Sequence, residues 1–587
     1  MEQRSTANIP KTVDNKTDCD VFYVKYKDLY QSESSCNSIP TMHELDGLVR
    51  DKCMDYNSDC KHLHSISVVQ IRNAVNKLKS GNYEYHSDLS TDSIKNGSDL
   101  LYLYLSFLYS MMITHGYSND TFNTVVFNPI VKDGRKSKCD SSNYRAISLN
   151  SLFSKIYDYI LLDHFNAEFS SSDYQFAYKK SFSTTLCTFL FKETIEYYIN
   201  NESNVYVNLL DCSKAFDLVK HDKLFSKLID ANICPLVLRL LATMYIEMKG
   251  KVRWGQFESG EFKVFNGIKQ GAVFSPILFN IYIDSLIKSI HDTSLGCYIG
   301  NRPSSIFVYA DDIILLSPTK SAMNEIILVC QQFSDNFGLK FNSQKSESLF
   351  FSKSHDFNRD SLFQLNGQDI ILSSKCEHLG HTIKAGNCSF DYSNIINDIK
   401  SKTNCILSFF KHNSYKTKVE LFKSYTSSYY GSILCNINDL EEIDRCWRVS
   451  ARRILGVDPR TRSYLLPGLI NSLCPKDEIK RRILLFFEKG IKHESPSINF
   501  YFRNCLMNMN SSMFSNVSTI CRISNFSIQN FSNISRADIN KSFKNLVKAD
   551  WRVEFIAELM KIIDGILFLN DFNVDFIRQM LNFICTF

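Results

Sequence analysis

The sequence predicts an α+β protein in which short strands in the middle of the chain are flanked by helical segments. Three observations support this prediction. Apolar residues recur at three- and four-residue spacing from about Ser67, short apolar runs bounded by turn residues lie between about 120 and 385, and helical spacing returns from about 390 to 490. A chain of 587 residues is too long for one hydrophobic core, so we expect several lobes.

The composition is that of a folded protein. Apolar residues make up 44% of the chain and charged residues 22%. The net charge of +5 permits a nucleic-acid partner without requiring one, because a basic cleft can lie within a nearly neutral total. The 19 cysteines are scattered and form no CxxC pair, which is typical of an intracellular protein with reduced thiols.

The sequence predicts neither secretion nor a membrane partner. The N-terminus lacks the apolar stretch of a signal peptide. The longest apolar run, from Leu100 to Ile113, is shorter than the about 20 residues that cross a membrane, so we expect a buried helix there. We therefore expect an intracellular protein that resides in the nucleus, the cytoplasm or both.

The elements before residue 120 are expected to be helical after a polar extension. Residues 1–65 show no clear periodicity, and we expect a loosely ordered lead-in. A helix is expected from Ser67 and should be ended by Gly81, and a second helix should cover about 97–116.

The middle of the chain contains apolar runs that are expected to be strands. A buried strand is expected at Val205–Leu210. Two hairpins are expected, one from Lys251–Trp254 with Glu261–Phe265 and one from Ile306–Tyr309 with Ile313–Leu316.

The C-terminal part is expected to be mostly helical. Helices should fill about 390–490, whereas residues 498–535 are rich in Asn and Ser and are expected to form a loop or linker. Residues 541–586 are amphipathic and should form two further helices.

Two adjacent aspartates, Asp311 and Asp312, lie at the turn of the second predicted hairpin. Adjacent like charges within an apolar stretch are costly unless a cation neutralises them, so a Mg²⁺ site at the hairpin tip would explain them. An exposed acidic turn explains the pair equally well.

Asp211 follows another apolar strand. Nucleotidyl transfer with two metal ions needs carboxylates from separate strands to hold ions about 4 Å apart. A strand-end aspartate and a hairpin-tip pair are the minimum set for that chemistry. The alternative for Asp211 is a helix N-cap ahead of Ser213–Leu218.

These stretches resemble the reverse transcriptases of non-LTR (LINE-type) retrotransposons, and the likeness is greatest to the Jockey-like elements. Tyr309-Ala-Asp-Asp312 matches the YADD box of that family, and Leu210-Asp-Cys-Ser-Lys-Ala-Phe-Asp217 matches its first catalytic box. The resemblance extends from about Ser67 to about Phe487. The other boxes, in chain order, are Asn143–Ser148, Gln175–Thr184, Gly267–Phe279, Gly338–Asn342 followed by Lys345, and His378–His381.

The resemblance implies a right-hand polymerase fold, with fingers, a palm built on an antiparallel sheet, a helical thumb and a helical C-terminal region. The implied divisions are an extension at 1–65, fingers at 66–204, a palm with part of the fingers at 205–388, a thumb at 389–495, and a linker with helices at 496–587.

The resemblance also implies an RNA-dependent DNA polymerase that extends a primer 3′-hydroxyl with dNTPs. Two Mg²⁺ ions, with Mn²⁺ as a substitute, would act with an RNA template and a DNA or RNA primer. Asp211 and Asp311 would be metal ligands, and Asp312 would support the metal site. Lys345 would be the proton donor to pyrophosphate.

Further residues are assigned to substrate binding by the same resemblance. Lys132 and Arg145 would pair with the triphosphate, since cations there offset developing negative charge. Phe216 would exclude a ribose 2′-hydroxyl. Gln270 and Gly271 would shape the nucleotide pocket, and Tyr309 belongs to the YADD box.

Departures from the family pattern leave alternatives open. Ala146 replaces a proline, and Ala177 and Phe182 replace two glycines. A catalytically weak or inactive nucleic-acid-binding relic is therefore one alternative. An RNA-dependent RNA polymerase is less favoured, because those enzymes carry an aspartate at the position of Phe216. Only about 65 residues precede the resemblance, so we expect any endonuclease to be a separate partner.

Basic stretches at Arg448–Arg462 and Lys476–Arg482 lie where the family has its thumb. They are expected to contact the phosphate backbone of a duplex, and such contact is sensitive to salt. The alternative is a solvated helix face.

Overall fold

The computed structural model describes residues 19–31, 65–84, 89–165, 169–353, 363–386 and 388–544. These residues form two compact units. The first comprises the described residues up to Cys187, residues 204–350, and residues 363–373. The second comprises Thr188–Ser203, residues 351–353, and the described residues from Ser374 onward.

Helices and strands alternate in the first unit, and helices predominate in the second. The helices are α1 (Asp20–Gln31), α2 (Val68–Lys77), α3 (Thr91–Lys95), α4 (Asp99–His115), α5 (Asp120–Asn123), α6 (Leu152–Phe165), α7 (Thr184–Asn200), α8 (His221–Asp230), α9 (Pro235–Ile246), α10 (Ser275–Asp292), α11 (Lys320–Phe337), α12 (Ser393–Phe409), α13 (Tyr415–Thr426), α14 (Leu440–Leu455), α15 (Leu465–Ile470), α16 (Pro475–Ile491), α17 (Pro496–Met507) and α18 (Ser512–Ile523). The strands are β1 (Thr124–Val131), β2 (Tyr144–Leu149), β3 (Val205–Ser213), β4 (Lys249–Trp254), β5 (Phe257–Glu258), β6 (Phe262–Lys263), β7 (Tyr298–Ile299), β8 (Arg302–Pro303), β9 (Ile306–Tyr309), β10 (Asp312–Ser317), β11 (Lys340–Phe341), β12 (Glu347–Phe351), β13 (Gln364–Leu365), β14 (Gln368–Asp369), β15 (Ile371–Leu372), β16 (Lys375–His378), β17 (His381–Lys384) and β18 (Phe390–Asp391).

Two sheets organise the first unit. One has the strand order β2-β1-β4-β5, with β6 also paired to β4. The other has the order β15-β12-β3-β10-β9, with β11 also paired to β3. The expected buried strand is present, and so is the β9–β10 hairpin, which lies beside β3 with antiparallel pairing. The other hairpin differs from the prediction: Arg253–Trp254 pairs with Phe257–Glu258 across a tighter turn, and Phe262–Lys263 pairs with Lys249–Gly250 instead. Consecutive apolar residues of β9 and β10 are buried, so both faces of these strands are covered, whereas buried and half-buried residues mostly alternate along β3.

The expected loosely ordered lead-in is wrong for Asp20–Gln31, which is helix α1. Phe22, Tyr26 and Tyr30 repeat every four residues and are buried on one face of this helix. Their rings pack on the first sheet, where Tyr30 stacks on Phe127 with ring centroids 4.6 Å apart. The remainder of residues 1–64 lies outside the described residues.

The helices expected before residue 120 are present with small differences. Ser67 caps α2 by accepting from the Gln70 amide, and the Gln70 side chain returns a bond to the Ser67 amide. Helix α2 ends at Lys77 rather than at Gly81, because Leu78 is already extended.

The expectation of a fully buried helix at Leu100–Ile113 is wrong for one face of α4. Leu100, Tyr104, Phe107 and Met111 are 56%, 65%, 62% and 57% exposed, respectively, among the described residues. Their spacing puts them on one side of the helix, whereas Tyr102, Leu105 and Tyr109 are buried on the other. Because this whole segment is apolar, its sequence did not indicate that one face of α4 is exposed.

Helices build most of the second unit, as the sequence predicts for 390–490. Helices α12 to α15 enclose one apolar cluster. Its buried members are Ile406, Val419, Phe422, Trp447, Ala451, Ile454, Leu466 and Ile470. The unit also contains a small antiparallel sheet of β16, β17 and β18.

The predicted loop or linker at 498–535 is wrong, because α17 and α18 occupy most of it. Ser495 and Ser511 cap these helices through their side-chain oxygens. Ile498, Tyr501 and Phe502 then supply a buried helical stripe, which the Asn- and Ser-rich composition obscured. Residues 541–544 are helical, and the rest of the two predicted C-terminal helices lies outside the described residues.

The two units divide the chain at points that differ from the predicted divisions. Thr188–Ser203 and the described residues between Ser374 and 388 belong to the second unit, whereas the resemblance implied fingers and palm for them. The names fingers, palm and thumb for these segments stay predictions. No helix in the described part of the chain is long and apolar enough to cross a bilayer.

Candidate active site

Three aspartates meet where β3 and the β9–β10 hairpin run side by side. Asp312 on β10 is paired directly with Asp211 on β3 and with Tyr309 on β9. Directly opposed residues of antiparallel strands project from the same face of a sheet, so the two carboxylates share a face. Asp311 precedes β10 in the hairpin turn.

A buried glutamine supports the hairpin turn through hydrogen bonds. Ala310 has a positive φ of 56°, an uncommon conformation for a residue with a Cβ. The side-chain oxygen of Gln175 accepts hydrogen bonds from the amides of Ala310 and Ala177, at 3.1 and 3.0 Å. Gln175 is fully buried, so this support is internal to the fold. The sequence placed Gln175 in a family box without indicating this role.

Asp211 is surrounded by the loop that follows β11. Its backbone carbonyl accepts from the Asn342 amide, and its amide donates to the Ser346 hydroxyl. The Lys345 ammonium lies 3.6 Å from the Asp211 Oδ2. This oxygen is buried and has no hydrogen-bond donor among the described residues. Lys345 therefore lies at the site, as the resemblance implies.

Burial and neighbouring negative charge raise the pKa of Asp311 and Asp312. Burial, and then the charges of Asp311 and Asp211, raise the pKa of Asp312 to about 6. Burial also raises the pKa of Asp311, with Asp211 adding to it and Arg145 and Lys345 opposing it. This mutual repulsion is the unfavourable arrangement that a bound cation relieves.

The chemistry of the site fits divalent cations. Hard ions such as Mg²⁺ prefer carboxylate oxygens, and one oxygen of Asp211 accepts no hydrogen bond from the residues that the structure describes. Within the described ranges, however, no three acidic, histidine or cysteine side chains are already gathered closely enough to hold an ion. Holding one would require the carboxylates to rotate toward a common point.

The alternatives for the aspartates can now be compared. Asp211 is not a helix N-cap, because β3 continues to Ser213 and α8 begins only at His221. Asp311 and Asp312 are exposed, as in an acidic turn, yet they share their surroundings with Asp211. The structure thus brings together the three aspartates that the sequence singled out.

Cations lie beside the aspartates. After burial, the charges of Lys214, Arg145 and Lys345 are the largest causes that lower the pKa of Lys132, and Asp217 opposes them. The Lys132 ammonium donates to the Ser142 carbonyl at 3.1 Å. Lys214 was not singled out by the sequence. The group of cations suits a polyanionic ligand.

Phe216 and the Gln270–Gly271 loop line the same region. The Phe216 ring is half-buried and stacks on Phe279 with centroids 4.7 Å apart. Gly271 has a φ of +103°, and a Cβ there would lie 3.2 Å from the Ser148 carbonyl. Gln270 donates to Asp217 Oδ1 at 2.6 Å.

Residues 132–383 match the family model described as reverse transcriptase (RNA-dependent DNA polymerase). This segment is a reverse transcriptase domain. All ten residues assigned to the site from the sequence fall within the matched residues. The predicted fold class, α+β of the right-hand polymerase type with a helical C-terminal region, is confirmed. Reverse transcriptases generally use divalent metal ions.

Curated relatives confirm the resemblance of the reverse transcriptase domain to those of non-LTR retrotransposons. The Pol polyprotein of type-2 retrotransposable element R2DM from Drosophila melanogaster is 29% identical over 24% of this chain and 13% of its own length. The probable RNA-directed DNA polymerase of the D. melanogaster transposon BS is 23% identical over 48% of this chain and 32% of its own. This chain therefore spans less than a third of the length of either relative.

A solved structure is also similar. Apo telomerase from Candida tropicalis aligns with a TM-score of 0.36 and 12% identity, over 76% of this chain and 78% of that one. A score this low supports no conclusion about the reverse transcriptase domain.

Proposed function

We propose that this chain is an RNA-dependent DNA polymerase that extends a primer 3′-hydroxyl with dNTPs on an RNA template. The observation that carries the proposal is the direct pairing of Asp211 with Asp312, with Asp311 beside them and Lys345 3.6 Å from Asp211. Carboxylates from two strands on one face are what two-metal nucleotidyl transfer needs.

The acidic residues would hold two Mg²⁺ ions, for which Mn²⁺ could substitute. Asp211 and Asp311 would be ligands, and Asp312 would complete the negative site. Such ions, when bound, lower the pKa of the attacking hydroxyl and neutralise charge on the leaving pyrophosphate. The rest of the chemistry is positioning by the chain's own side chains.

The cations would bind the triphosphate. Lys132 and Arg145 would neutralise its charge. Burial, followed by the like charges of neighbouring cations, lowers the pKa of Lys132. Lys345 would donate a proton to pyrophosphate, since its ammonium already lies beside Asp211.

The pocket residues would select the nucleotide. Phe216 is held by its stacking on Phe279, so its ring would exclude a ribose 2′-hydroxyl. Gly271 would let the backbone approach the substrate, and Gln270 would line the pocket. Tyr309 is the residue paired with Asp312, and its side chain is half-buried beside the carboxylates.

Primer extension tests the proposal. The parent chain should extend a DNA primer on an RNA template in Mg²⁺ with dNTPs preferred over rNTPs, and Asp311→Asn/Asp312→Asn should abolish extension. Asp230→Asn, which removes an acidic side chain from α8, is the matched control and should extend normally. Salt-sensitive binding of the primer–template without extension by the parent would instead establish a binding relic.

A further inference from the structure

Helix α1 lies outside the reverse transcriptase match but reaches the nucleotide pocket. The Tyr30 hydroxyl donates to Asp217 Oδ1 at 2.7 Å, and the Gln270 amide donates to the same oxygen at 2.6 Å. Asp217 is 6% exposed, so this carboxylate depends on donors from the protein rather than from water. One buried oxygen therefore joins the N-terminal helix to the Gln270 side chain.

The ring of Tyr30 is fixed on both sides. It stacks on Phe127 at 4.6 Å, and a Cβ on Gly267 would lie 2.9 Å from the ring. The Tyr30 carbonyl also accepts from the amides of Phe265 and Asn266, at 2.9 and 3.3 Å. The segment that leads into the Gln270 loop is thus hydrogen-bonded to the end of α1.

The surroundings of the Tyr30 hydroxyl favour its protonated, donating form. Burial raises the pKa of Tyr30 well above its ordinary value, and the charge of Asp217 adds to this effect. A hydrogen bond to a carboxylate is stronger than one between neutral groups. Asp217 also follows Phe216 directly, so holding its carboxylate restrains the backbone beside the proposed 2′-hydroxyl barrier.

A second contact joins α1 to the other side of the pocket. The Lys25 ammonium donates to the carbonyl of Ser141 and lies 3.4 Å from its hydroxyl. Ser141 begins the short turn whose next residue, Ser142, accepts from the Lys132 ammonium. Both the cationic side and the Gln270 side of the pocket are therefore tied to one helix.

We propose that Tyr30 is a positioning residue for nucleotide binding, which acts through Asp217 to fix the Gln270 side chain. The inference rests on the proposed function and extends it to a helix beyond the matched domain. Without the Tyr30 hydroxyl, the Asp217 carboxylate that accepts from the Gln270 amide is less constrained. The nucleotide pocket is then less preorganised, whereas the metal ligands are unchanged.

Kinetics of the full chain test this inference. Tyr30→Phe should raise the KM for dNTP about tenfold, because it removes a hydrogen bond to a charged group, with little change in kcat. Tyr26→Phe is the matched control. Tyr26 lies one turn earlier on the same buried face, and its hydroxyl has no hydrogen-bond partner among the described residues. It should leave KM unchanged.

A double-mutant cycle separates positioning from general loss of structure. In a Gln270→Ala background, Tyr30→Phe should cause no further rise in KM, because the effect passes through Gln270. A full additional rise in KM in that background would overturn the inference, and so would equal effects of Tyr30→Phe and Tyr26→Phe. In either case, primer extension by the parent would leave the proposed function intact.

A measurement without turnover keeps the inference testable if the parent does not extend primers. In protein labelled with 15N-glutamine, the side-chain amide signal of Gln270 is the one lost in Gln270→Ala. That signal should shift in Tyr30→Phe and stay in place in Tyr26→Phe. An unmoved signal in Tyr30→Phe overturns the inference whatever the activity.

Discussion

Asp312 lies directly opposite Asp211 in the antiparallel pairing of β3 with β10. The two residues are about one hundred positions apart in the chain, and only the register of the sheet brings them together. A shift of one residue would send one of the carboxylates to the other face. The buried apolar side chains of Ile313 and Leu210, paired at the next position, hold the register that the site requires.

Removing one of these charges should stabilise the protein and strongly reduce primer extension. Asp312→Asn relieves repulsion, so the free energy of unfolding without divalent metal should rise by roughly 1 kcal/mol, a value reduced for solvent screening of this partly exposed group. Primer extension should fall about 1,000-fold, because ion-mediated stabilisation contributes several kcal/mol. Urea unfolding in EDTA and extension assays measure the two effects. A destabilised, inactive variant would instead indicate a structural role.

Phe216 should control sugar selection. Phe216→Val opens the space beside Phe279, so the ratio of kcat/KM for dNTP to that for the matching rNTP should fall at least about tenfold. Phe279→Leu is the comparison. It removes the stacking partner but keeps the Phe216 ring, so it should change the ratio less. An unchanged ratio in Phe216→Val would show that this ring is only part of the core.

His221 should make stability depend on pH. Burial lowers the pKa of His221 from 6.5 to about 4. The Nε2–H donates to the Gly267 carbonyl at 2.7 Å, and Nδ1 is buried with no partner in the described chain. Between pH 6.5 and 4 the unfolded chain binds a proton that the folded protein rejects. Stability is therefore fully present above about pH 6.5 and falls with decreasing pH.

The contribution of this histidine can be isolated. His221→Gln keeps a donor for Gly267, and it should reduce the loss of unfolding free energy by up to about 1.4 kcal/mol per pH unit. Urea unfolding between pH 7 and 5 measures the slope. The exposed His412→Gln is the control and should keep the parental slope. A parental slope in His221→Gln would contradict a buried neutral imidazole.

Gln175 and Asn208 should respond in opposite directions to the same substitution. Gln175→Leu leaves the buried amides of Ala310 and Ala177 without an acceptor, so we expect a loss of about 2–4 kcal/mol in stability and reduced extension. Asn208 is equally buried on β3, but its side-chain amide has no partner among the described residues. Asn208→Leu should be neutral or stabilising. Urea unfolding of both variants checks this contrast.

The sequence predicts the parts of the fold that local signals encode. The β9–β10 hairpin was predictable because apolar runs flank a turn, and α2 was predictable because apolar residues recur at three- and four-residue spacing. Helix α1 was missed because its Phe22, Tyr26 and Tyr30 repeat lies in an otherwise polar segment. That four-residue spacing was the available signal.

The site itself was predictable in residue identity but not in its supports. Conspicuous carboxylates and family boxes indicate Asp211, Asp311 and Asp312. The bond from Tyr30 to Asp217 joins residues 187 positions apart and leaves no local pattern in the sequence. The bonds from Gln175 to the hairpin turn depend likewise on tertiary packing.

Several basic residues in the predicted thumb serve the fold of the second unit. Arg482 donates to the carbonyls of Ser427 and Ser428 at 2.7 and 2.6 Å, at the end of α13, and to Glu478 at 2.7 Å. Glu478 also accepts from Arg481. Burial raises the pKa of Glu478, but its bonds to the two arginines outweigh that effect and lower the pKa overall. Arg481 and Arg482 are therefore already engaged in hydrogen bonds within the second unit.

Substitutions of Arg482 and Lys416 should therefore affect different properties, namely the stability of the protein and the salt dependence of primer–template binding. Arg482→Gln removes donors from three acceptors and should destabilise the protein by about 2–4 kcal/mol, while the salt dependence of primer–template binding stays the same. Lys416 is exposed near the start of α13. Lys416→Gln should leave stability unchanged and reduce the slope of log affinity against log salt by about 1, the change expected when one phosphate contact is lost. Binding titrations at several salt concentrations measure both slopes. A reduced slope for Arg482→Gln at unchanged stability would show that this arginine contacts nucleic acid after all.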